Sequence, residues 1–488
     1  CENIFIEHNF NVFNKNKQLK INELKSFLSK NHNISDPSNL NDIIEKFYSG
    51  VSYGFHFNDL FISSNGQKAI LIMQKIKLDE NIIYCPDCMN NIVRGNSYTK
   101  LLQKSFECQN PNCPSRSKIG RGKRFDYFSV KRNTYLNLND PNDIVDLDLI
   151  KQYRKDIFEN TDTILDMLVS FYSFHDNNIK IISDFEYALF TKHRNIYSAN
   201  FIKKSYDYKN YPLFLLMQNI IKNISIQPQK EHYMLQTTNH YSIYKGNSSN
   251  ILYNINEKIT GAITSPPYYN AREYSQWPSL ICYLVDMAIS SKAVYDNIEN
   301  QGMYFYNIGD IVGLDNIYVS STMSKKRLLL GFLSIMIFKM IGWKFHNNII
   351  WYKGEVQSKR NSMENIFPTY IKPINCYEHI LAFSKNNTTI NIPNLVKYIE
   401  PVKKINSKGE NTFGHTAPYP IALVELLLPY MNKSGYILDP FLGSGTTIIA
   451  SLKHNYKAVG IELSEEYFLL AISKITQTIN HISIENFI

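Results

Sequence analysis

A corner at a strand end carries the first residues whose types could do chemistry. The segment GAITSPPYY (261–269) begins as an apolar run typical of a buried strand. Because proline offers no N–H to a sheet ladder, Pro266 and Pro267 must end that strand. The Ser265 hydroxyl and the Tyr268 ring are therefore held beside a rigid turn. When the segment is considered alone, a proline-ended strand and turn with no chemical role explains it as well as a reactive corner does.

A second set of residues forms a glycine-rich loop near the C-terminus. The stretch SGYILDPFLGSGTTIIASLKHNYKAVGIELSEEYFLLAISKI predicts strand, loop, helix, strand and helix in turn. Gly443 and Gly445 would let the backbone approach a ligand, and a helix beginning at Thr446 would offer free N–H groups. Glu462, at the end of the second strand, is placed to take both hydroxyls of a ribose. The predicted bounds are 436–438, 439–445, 446 to about 454, 458–462 and a following helix.

The acidic residue before this loop indicates which ligand it binds. Asp439 is followed by Pro440 and Phe441, and FLGSG replaces the three-glycine dinucleotide pattern. An acid repels a pyrophosphate but suits a ligand that carries an ammonium group. S-adenosylmethionine has an adenosine, a carboxylate, an amine and no phosphate, so it fits this loop. A plain dinucleotide site is the alternative.

Four of the seven cysteines lie close together in two pairs, Cys85 with Cys88 and Cys108 with Cys113. Two close thiolate pairs on separate turns can complete a tetrahedral Zn²⁺ site of the ribbon type. Four unrelated thiols are the alternative, although they do not explain the paired spacing. Ribbons of this kind are mostly structural, so we expect the zinc to stabilise the fold rather than to catalyse.

Basic and aromatic residues alternate directly after the cysteines. Positive groups spaced by rings suit a phosphate backbone with base contacts, and a solvated basic face is the alternative. We predict DNA-binding roles for Arg116, Lys118, Arg121, Lys123 and Arg124.

Together, DPFLGSGTT and TSPPY resemble the S-adenosylmethionine-dependent DNA amino-methyltransferases, which methylate cytosine N4 or adenine N6. The SPPY segment precedes the glycine loop in the chain, a circularly permuted order that resembles the β group of these enzymes. The resemblance covers about residues 240–480. Its other parts are YKGNSS (244–249), GMYFYNIGD (302–310), the last hairpin strands WKFHNNIIWYKG (343–354) and CYEHILAFSK (376–385), and the helical segment GHTAPYPIALVELLLPY (414–430).

The resemblance implies an α/β fold with a Rossmann-like seven-stranded methyltransferase sheet. It also implies that Ser265 Oγ and the Pro266 carbonyl accept hydrogen bonds from the target amine. The amine is a poor nucleophile because its lone pair is delocalised, and two acceptors favour a pyramidal nitrogen aimed at the sulfonium methyl group. Pro267 keeps the corner rigid, and Tyr268 stacks on the flipped base.

Cofactor contacts follow from the same resemblance. They are Asp439, Pro440, Phe441, Gly443, Gly445, Thr446 and Glu462, with His415 and Pro418 from the preceding helical segment. Serine in SPPY favours cytosine N4 over adenine N6, for which aspartate is commoner. Cytosine C5 methylation needs a thiolate, and Cys282 and Cys376 both lie in apolar patterns that predict core positions.

We therefore expect a site-specific DNA methyltransferase, most simply the modification part of a restriction-modification system that acts on double-stranded DNA beside a cognate endonuclease. The alternatives are an RNA or protein-glutamine methyltransferase and an inactive zinc-ribbon DNA-binding protein. The interval 386–413 is short, so the zinc-bearing region is expected to supply much of the DNA contact. Segment 351–368 is a second candidate, and Glu273–Pro278 is expected either to shape the base pocket or to pack.

Composition and hydrophobic patterning predict four parts in the 488-residue chain. They are a mixed helical region (1–79), a zinc ribbon with a basic run (80–135), a mostly helical region (136–239) and a catalytic domain (240–488). A net charge of +9 is a mild indication of a polyanionic partner. We find no membrane span and no secretory signal, and Leu328–Trp343 is expected to be a buried helix. The thiol-rich chain suits a reducing cytoplasm. It begins with Cys, so we expect the reading frame to start upstream.

Overall fold

The computed structural model describes most of the C-terminal half and separate segments of the N-terminal half. The described residues are 17–32, 53–66, 68–77, 85, 87, 93–95, 105–117, 122, 124–126, 145–159, 161–173, 177–183, 189, 193–200, 207–210, 212–223, 235–269, 275–314, 326–353, 373–385, 396–398 and 420–485.

Strands and helices alternate along the described segments. The strands are β1 (Tyr53–Ser63), β2 (Ala69–Lys77), β3 (Val93–Gly95), β4 (Ser105–Cys108), β5 (Arg124–Asp126), β6 (Ile157–Phe158), β7 (Asn178–Ser183), β8 (Asn195–Asn200), β9 (Leu235–Thr237), β10 (Tyr241–Lys245), β11 (Ile259–Thr264), β12 (Ile298–Ile308), β13 (Ile311–Leu314), β14 (Lys326–Leu328), β15 (Lys344–Tyr352), β16 (Tyr377–Ser384), β17 (Val396–Tyr398), β18 (Tyr436–Asp439) and β19 (Lys457–Glu462). The helices are α1 (Lys17–His32), α2 (Leu147–Gln152), α3 (Thr161–Tyr172), α4 (Pro212–Asn223), α5 (Ser248–Ile251), α6 (Leu280–Asn297), α7 (Leu330–Ile341), α8 (Ile421–Leu427), α9 (Thr446–Lys453) and α10 (Glu465–Glu485).

One large mixed sheet dominates the fold. Its strand order is β17-β15-β16-β12-β11-β18-β19-β10-β9. The five central strands β12, β11, β18, β19 and β10 run parallel, whereas β16 pairs antiparallel with both β12 and β15. Parallel strands are buried on both faces, which explains why β11 reads as a continuous apolar run with every residue buried.

Helices cover both faces of this sheet. On one face, α6 and α7 pack over strand residues such as Ala262 and Tyr304. On the other face, α8 and α9 cover the next residues along the same strands, including Ile263 and Phe305. This alternation is the two-residue period of a strand, and it makes a three-layer α/β domain. The predicted buried helix is α7, and Cys282 and Cys376 are fully buried, as expected.

N-terminal segments pack directly on this domain. Helices α1 and α4 contribute Leu24, Leu28 and Leu216 to the same apolar cluster as α6. His32 Nε2 lies 2.8 Å from Asp286 Oδ1 on α6. These apolar contacts make α1 and α4 part of the same core as the C-terminal half.

Three smaller sheets complete the described chain on its N-terminal side. β1 and β2 form an antiparallel hairpin, and β6 adds to β1 in parallel. β3, β4 and β5 form a short antiparallel sheet that includes Cys108. β7 and β8 form a parallel pair.

The sheet confirms the predicted α/β class and adds detail that the sequence pattern did not give. Seven consecutive strands, from β15 to β10, correspond to the predicted seven-stranded sheet, and β17 and β9 extend its two edges. The region 1–79 contains a hairpin, and 136–239 contains the β7–β8 pair and β9. β7, β8 and β9 are short or lie in polar stretches, so their pattern is weak. Among the described residues no helix is long and apolar enough to cross a bilayer.

Candidate active site

The two predicted motifs lie side by side at the carboxyl edge of the sheet. β11 and β18 are adjacent parallel strands, with Ala262 opposite Leu438. Their ends are joined by a hydrogen bond of 2.6 Å from Thr264 Oγ1 to Asp439 Oδ1. Ser265 follows directly after one strand, and the glycine loop follows the other. Segments that are far apart in the chain therefore form one site, in the position where open α/β sheets bind ligands.

Asp439 is the central group of this junction. Its side chain is fully buried and accepts hydrogen bonds from Thr264 Oγ1, from Thr447 Oγ1 and from the Phe441 N–H. Thr447 lies in the first turn of α9, so one carboxylate connects two strand ends and a helix start. These hydrogen bonds to Asp439 all come from groups of the protein itself. Its role as a cofactor contact therefore stays a prediction.

The glycine loop folds back on the end of β19. Gly443 and Gly445 have φ values of +55° and +90°, a region that favours glycine. The Gly443 N–H donates to Glu462 Oε2 at 2.8 Å, and the Ser464 N–H donates to Oε1 at 2.8 Å. Burial raises the pKa of Glu462, although these two N–H groups oppose the shift. The backbone thus fixes the carboxylate at the rim of the loop.

The rim of this edge is open to a ligand. Ser265, Phe441, Gly443 and Glu462 are each partly exposed, while their neighbours in the strands are buried. Leu463, which follows Glu462, is 70% exposed. The exposed rim therefore offers a hydroxyl, a ring, bare backbone and a carboxylate. The other predicted contacts are buried behind the rim: Pro266, Pro440, Gly445 and Thr446.

Tyr268 is held by a polar cluster that the sequence prediction missed. Its phenol donates a hydrogen bond of 2.7 Å to Glu378 Oε2 on β16. Lys353 Nζ lies 2.6 Å from Glu378 Oε1, and Asn307 Nδ2 lies 3.3 Å from Oε2. The Tyr268 ring also packs on Gly309, where an added Cβ would lie 2.9 Å from Tyr268 Cε2. Tyr268 therefore has one fixed orientation.

The charges in this cluster shift the pKa values of both Tyr268 and Glu378. Burial and the neighbouring Glu378 carboxylate raise the pKa of Tyr268 far above its usual range. Burial alone would raise the pKa of Glu378, but Lys353, Tyr268 and Asn307 together lower it below its usual value. Tyr268 thus stays a neutral phenol and Glu378 a carboxylate. A signal was present in the sequence, because Glu378 places a charge inside the largely apolar strand CYEHILAFSK.

A second buried cluster connects the N-terminal hairpin to this domain. The Arg327 guanidinium, 1% exposed, lies 2.8 Å from Asp59 Oδ1 of β1, pairs with Asp156, and lies 3.7 Å from Asp310 Oδ2. Burial, opposed by Arg327, raises the pKa of Asp156 to about 6. The Cys376 N–H donates to Asp156 Oδ1 at 2.9 Å. One arginine thus joins three segments of the chain.

Three of the four predicted zinc ligands come together. The Sγ atoms of Cys85, Cys108 and Cys113 all lie within 4.8 Å of one another, and all three residues are buried. Cys85 Sγ and Cys113 Sγ are 3.9 Å apart, far longer than a disulfide bond. The Asn110 carbonyl accepts from the Cys113 N–H at 3.2 Å and closes the turn between the second pair. Cys88 lies outside the described residues.

The predicted DNA-binding residues are described only in part. Arg124 lies on β5 with a side chain that is 63% exposed, 3.7 Å from Glu107. Arg116 Nη1 donates to the Asn110 carbonyl at 3.2 Å, so it supports the cysteine turn. Other predicted sites lie outside the described residues: Lys118, Arg121, Lys123, His415, Pro418, segment 354–368, and 386–395 and 399–413 of the interval 386–413.

Trp277, from the segment predicted to shape the base pocket or to pack, has packing contacts. Its Nε1 donates to Asp286 Oδ2 at 2.6 Å, and its ring lies 5.0 Å edge-on from Tyr283. Asp286 also contacts His32 of α1. The described part of the segment 273–278 thus packs against α6.

Comparisons with known proteins found similarity over the part of the chain that contains this site. Residues 259–473 match the family model N6_N4_Mtase, described as DNA methylase. The Type II beta methyltransferase M.BslI of Bacillus sp. (strain NEB-606) is 35% identical over 485 residues, which cover 86% of this chain and 52% of that relative. The Type II methyltransferase M.MwoI of Methanothermobacter wolfeii is 32% identical over 211 residues, 41% of this chain and 28% of that relative.

Among solved structures, PvuII DNA methyltransferase (cytosine-N4-specific) is 20% identical, with a TM-score of 0.38 over 50% of this chain and 93% of that chain. The present chain spans about half the length of its relative M.BslI. The family match begins at β11 and extends through the glycine loop into α10, so it includes both motifs. Residues 259–473 are thus similar to the DNA methylase family N6_N4_Mtase.

Proposed function

We propose that this chain is a site-specific DNA methyltransferase that transfers a methyl group from S-adenosylmethionine to the exocyclic amine of an extruded base. The observation that carries the proposal is the Thr264–Asp439 hydrogen bond, which places the SPPY corner beside the glycine loop. The match of residues 259–473 to the DNA methylase family supports it. The relatives named above are Type II methyltransferases, which supports a modification role in a restriction-modification system.

S-adenosylmethionine fits the residues that are present. Glu462 is partly exposed and acceptor-only, which suits the two hydroxyls of a ribose. Phe441 and the exposed Leu463 flank it with apolar surface for an adenine ring. Gly443, at positive φ and without a side chain, leaves room for a close approach of the ligand to the backbone. Asp439, at the start of the loop, would repel a pyrophosphate, which argues against a dinucleotide.

The corner residues perform the transfer as follows. When bound, the cofactor supplies an electrophilic methyl group on a sulfonium. Ser265 Oγ and the Pro266 carbonyl accept the two N–H bonds of the amine and direct its lone pair outward. The nitrogen would take that methyl group as the sulfonium becomes a neutral thioether, and the amine would give up one proton to water at the exposed rim. Tyr268, fixed by Glu378, provides a face for the base, and Pro267 keeps the corner rigid.

Cytosine N4 is the proposed target, with adenine N6 as the alternative. The support is Ser265 in place of the aspartate that is commoner in adenine-N6 enzymes. We also place the enzyme in the β group, because SPPY precedes the glycine loop in the chain. Its relative M.BslI is a Type II beta methyltransferase, which supports that group.

We further propose that Cys85, Cys88, Cys108 and Cys113 hold a structural Zn²⁺. Tetrahedral thiolate ligands at a Zn–S distance of about 2.3 Å lie about 3.8 Å apart. The observed 3.9 Å between Cys85 Sγ and Cys113 Sγ fits that spacing. Burial of the three described thiols suits a closed site that has no open position for a substrate.

Double-stranded DNA is the proposed partner, and the basic run beside the cysteines is the proposed contact surface. Arg124 is exposed on β5, next to the cysteine cluster. Because α1 and α4 are part of the catalytic core, deletion of the N-terminal half would disrupt the fold. Point substitutions therefore test DNA contact better than truncation does.

Modification-sensitive sequencing of DNA from a host that expresses the chain tests the function. We expect N4-methylcytosine at one defined sequence, and no modification from the Ser265→Ala variant. N6-methyladenine at a defined sequence would support the alternative target. Unmodified DNA together with methyl incorporation into total RNA would contradict the proposal.

Metal analysis tests the zinc proposal. The purified wild-type chain is expected to carry one zinc ion, and Cys108→Ser is expected to lose it. Cys282→Ser is the matched control, because Cys282 is equally buried but lies outside the cluster. Equal zinc in all three proteins, or none in the wild type, would contradict the proposal.

The salt dependence of DNA binding tests the basic surface. Arg124→Gln is expected to weaken binding and to reduce the slope of log K against log salt by about 1. Lys151→Gln is the control, since Lys151 is 56% exposed but lies outside the basic run. Equal slopes for the two variants would place the DNA contact elsewhere.

A further inference from the structure

The β7–β8 pair is a parallel sheet of only two strands, and one of its faces is open. Its register places Lys180 of β7 directly opposite Tyr197 of β8. The side chains on this outer face are exposed: Asn178, Lys180, Ile182 and Tyr197. Ile182 is 53% and Tyr197 58% exposed. Parallel strands occur almost only where both faces of the sheet are covered, so a partner is expected on this face.

The opposite face of the pair is turned toward the protein. Three isoleucines alternate with the outer-face residues and are half-buried: Ile179, Ile181 and Ile196. Leu189, in the connection between the two strands, packs on the apolar cluster of α3. Arg194, which precedes β8, donates from Nε to Ser173 Oγ at 3.3 Å and from Nη2 to the Ser173 carbonyl at 3.2 Å. Because Ser173 directly follows α3, the outer face is presented from a fixed support.

The charge of this region indicates the chemistry of the partner. Neither strand contains an acidic residue. Residues 178–204 contain five Lys and Arg residues, at 180, 192, 194, 203 and 204, and two acidic residues, at 184 and 186, a formal net charge of +3. On the outer face an ammonium group lies beside an aromatic ring, and no carboxylate opposes it. A polyanion therefore fits this face better than an acidic or a purely apolar partner does.

The shape of the pair also suits duplex DNA. The major groove admits a two-stranded β-ribbon as well as a helix. Lysine and tyrosine side chains supply contacts to the sugar–phosphate backbone, and an asparagine amide can both donate to and accept from base edges. The outer face carries one residue of each of these types.

We propose that the outer face of the β7–β8 pair is a second DNA-contact surface, separate from the basic run beside the cysteines. Lys180 pairs with a phosphate, the Tyr197 ring packs on the sugar–phosphate backbone, and Asn178 faces the base edges. This inference rests on the proposed methyl transfer to DNA, and it names a further part of the chain that holds the substrate.

Charge substitutions at Ile182 test the inference, because an exposed position accepts either sign without disturbing a core. The measurement is an anisotropy titration of the full chain with a labelled random-sequence duplex at about 0.1 M salt. Ile182→Lys is expected to tighten binding about threefold and Ile182→Glu to weaken it about threefold, the effect of one charge close to a phosphate in water. Leu147→Lys and Leu147→Glu are the matched controls, since Leu147 of α2 is an apolar residue with 45% exposure and lies outside the pair.

Two further variants separate the ionic contact from the ring contact. Lys180→Gln is expected to reduce the slope of log K against log salt by about 1, whereas Lys151→Gln on α2 leaves the slope unchanged. Tyr197→Ala is expected to weaken binding several-fold with the wild-type slope, because a ring contact releases no counterion. Wild-type urea midpoints for these variants verify that each one is folded.

Opposite shifts at Ile182, with none at Leu147, are the expected result. Wild-type affinity in both Ile182 variants would overturn the inference. Losses of equal size in both variants would also overturn it, and a wild type that dimerises on size-exclusion chromatography while both variants stay monomeric would assign the face to a second copy of the chain. A wild type that binds S-adenosylmethionine but transfers no methyl group to DNA would instead contradict the proposed function.

Discussion

The hydroxyl of Thr264 joins the two halves of the candidate site, and its removal has a calculable cost. Thr264→Val keeps the shape of the side chain but loses the 2.6 Å hydrogen bond to the buried Asp439 carboxylate. Hydrogen bonds to charged groups contribute about 1.5–3 kcal/mol, whereas bonds between neutral groups contribute about 0.5–1.5 kcal/mol. We therefore expect Thr264→Val to lower the free energy of unfolding by about 2 kcal/mol.

The same strand provides a matched control. Thr260 is as buried as Thr264, and its Oγ1 donates to the neutral Asn432 carbonyl at 2.7 Å. Thr260→Val should cost about 1 kcal/mol, so the two variants should differ by about 1 kcal/mol. Affinity for S-adenosylmethionine should fall several-fold only in Thr264→Val, because Asp439 also holds the Phe441 N–H of the glycine loop.

Urea unfolding followed by tryptophan fluorescence measures this difference. All three tryptophans, Trp277, Trp343 and Trp351, lie in the C-terminal half, so the signal reports the domain that carries the substitution. Equal costs for the two valine variants, together with equal cofactor affinity, would refute the view that Asp439 connects the two motifs.

Three further predictions concern stability, each measured by the same urea titration. Arg327→Met leaves buried aspartates uncompensated and should lower the free energy of unfolding by about 3–5 kcal/mol. Lys292→Met breaks an exposed ion pair and should lower it by less than about 1 kcal/mol. Similar losses in the two variants would contradict the role of Arg327 in holding the buried aspartates. Because the folded pKa of Asp156 is raised to about 6, its ionisation opposes folding at neutral pH, and protonation relieves this cost as the pH falls. The stability of Asp156→Asn relative to wild type should therefore decline by about 2 kcal/mol between pH 7 and pH 4, and a pH-independent difference would contradict the raised pKa. Gly445→Ala should lower the free energy of unfolding by about 1–2 kcal/mol, because residue 445 has a φ of +90° and the new Cβ would lie 3.0 Å from Ile475 Cδ1. An unchanged urea midpoint would contradict this strain.

The sequence predicted the elements around the glycine loop closely. The observed bounds, Tyr436–Asp439, Thr446–Lys453 and Lys457–Glu462, differ from the predicted ones by one residue at most. Glycine, proline and short apolar runs are local signals, and the loop is built from local contacts. The meeting of this loop with SPPY came from the family resemblance and was then found in the strand pairing.

The partners of the site residues were not predictable in the same way. Glu378 reaches Tyr268 across 110 positions of the chain, and Arg327 reaches Asp59 across 268. No periodicity encodes such a pair, although a charge inside an apolar strand is a hint that it has a buried partner. The β1–β2 hairpin was missed although a signal was present, because Phe55 and Phe57 alternate with His56 and Asn58 in β1.

The most direct test of the central claim is the transfer of a tritiated methyl group from S-adenosylmethionine to duplex DNA by the wild-type chain and by Ser265→Ala. We predict transfer by the wild type, and a variant that binds the cofactor with wild-type affinity but transfers at least a hundredfold more slowly. A Ser265→Ala variant as fast as the wild type, or a wild type that binds the cofactor and leaves DNA unlabelled, would contradict a reaction at the junction of these two motifs.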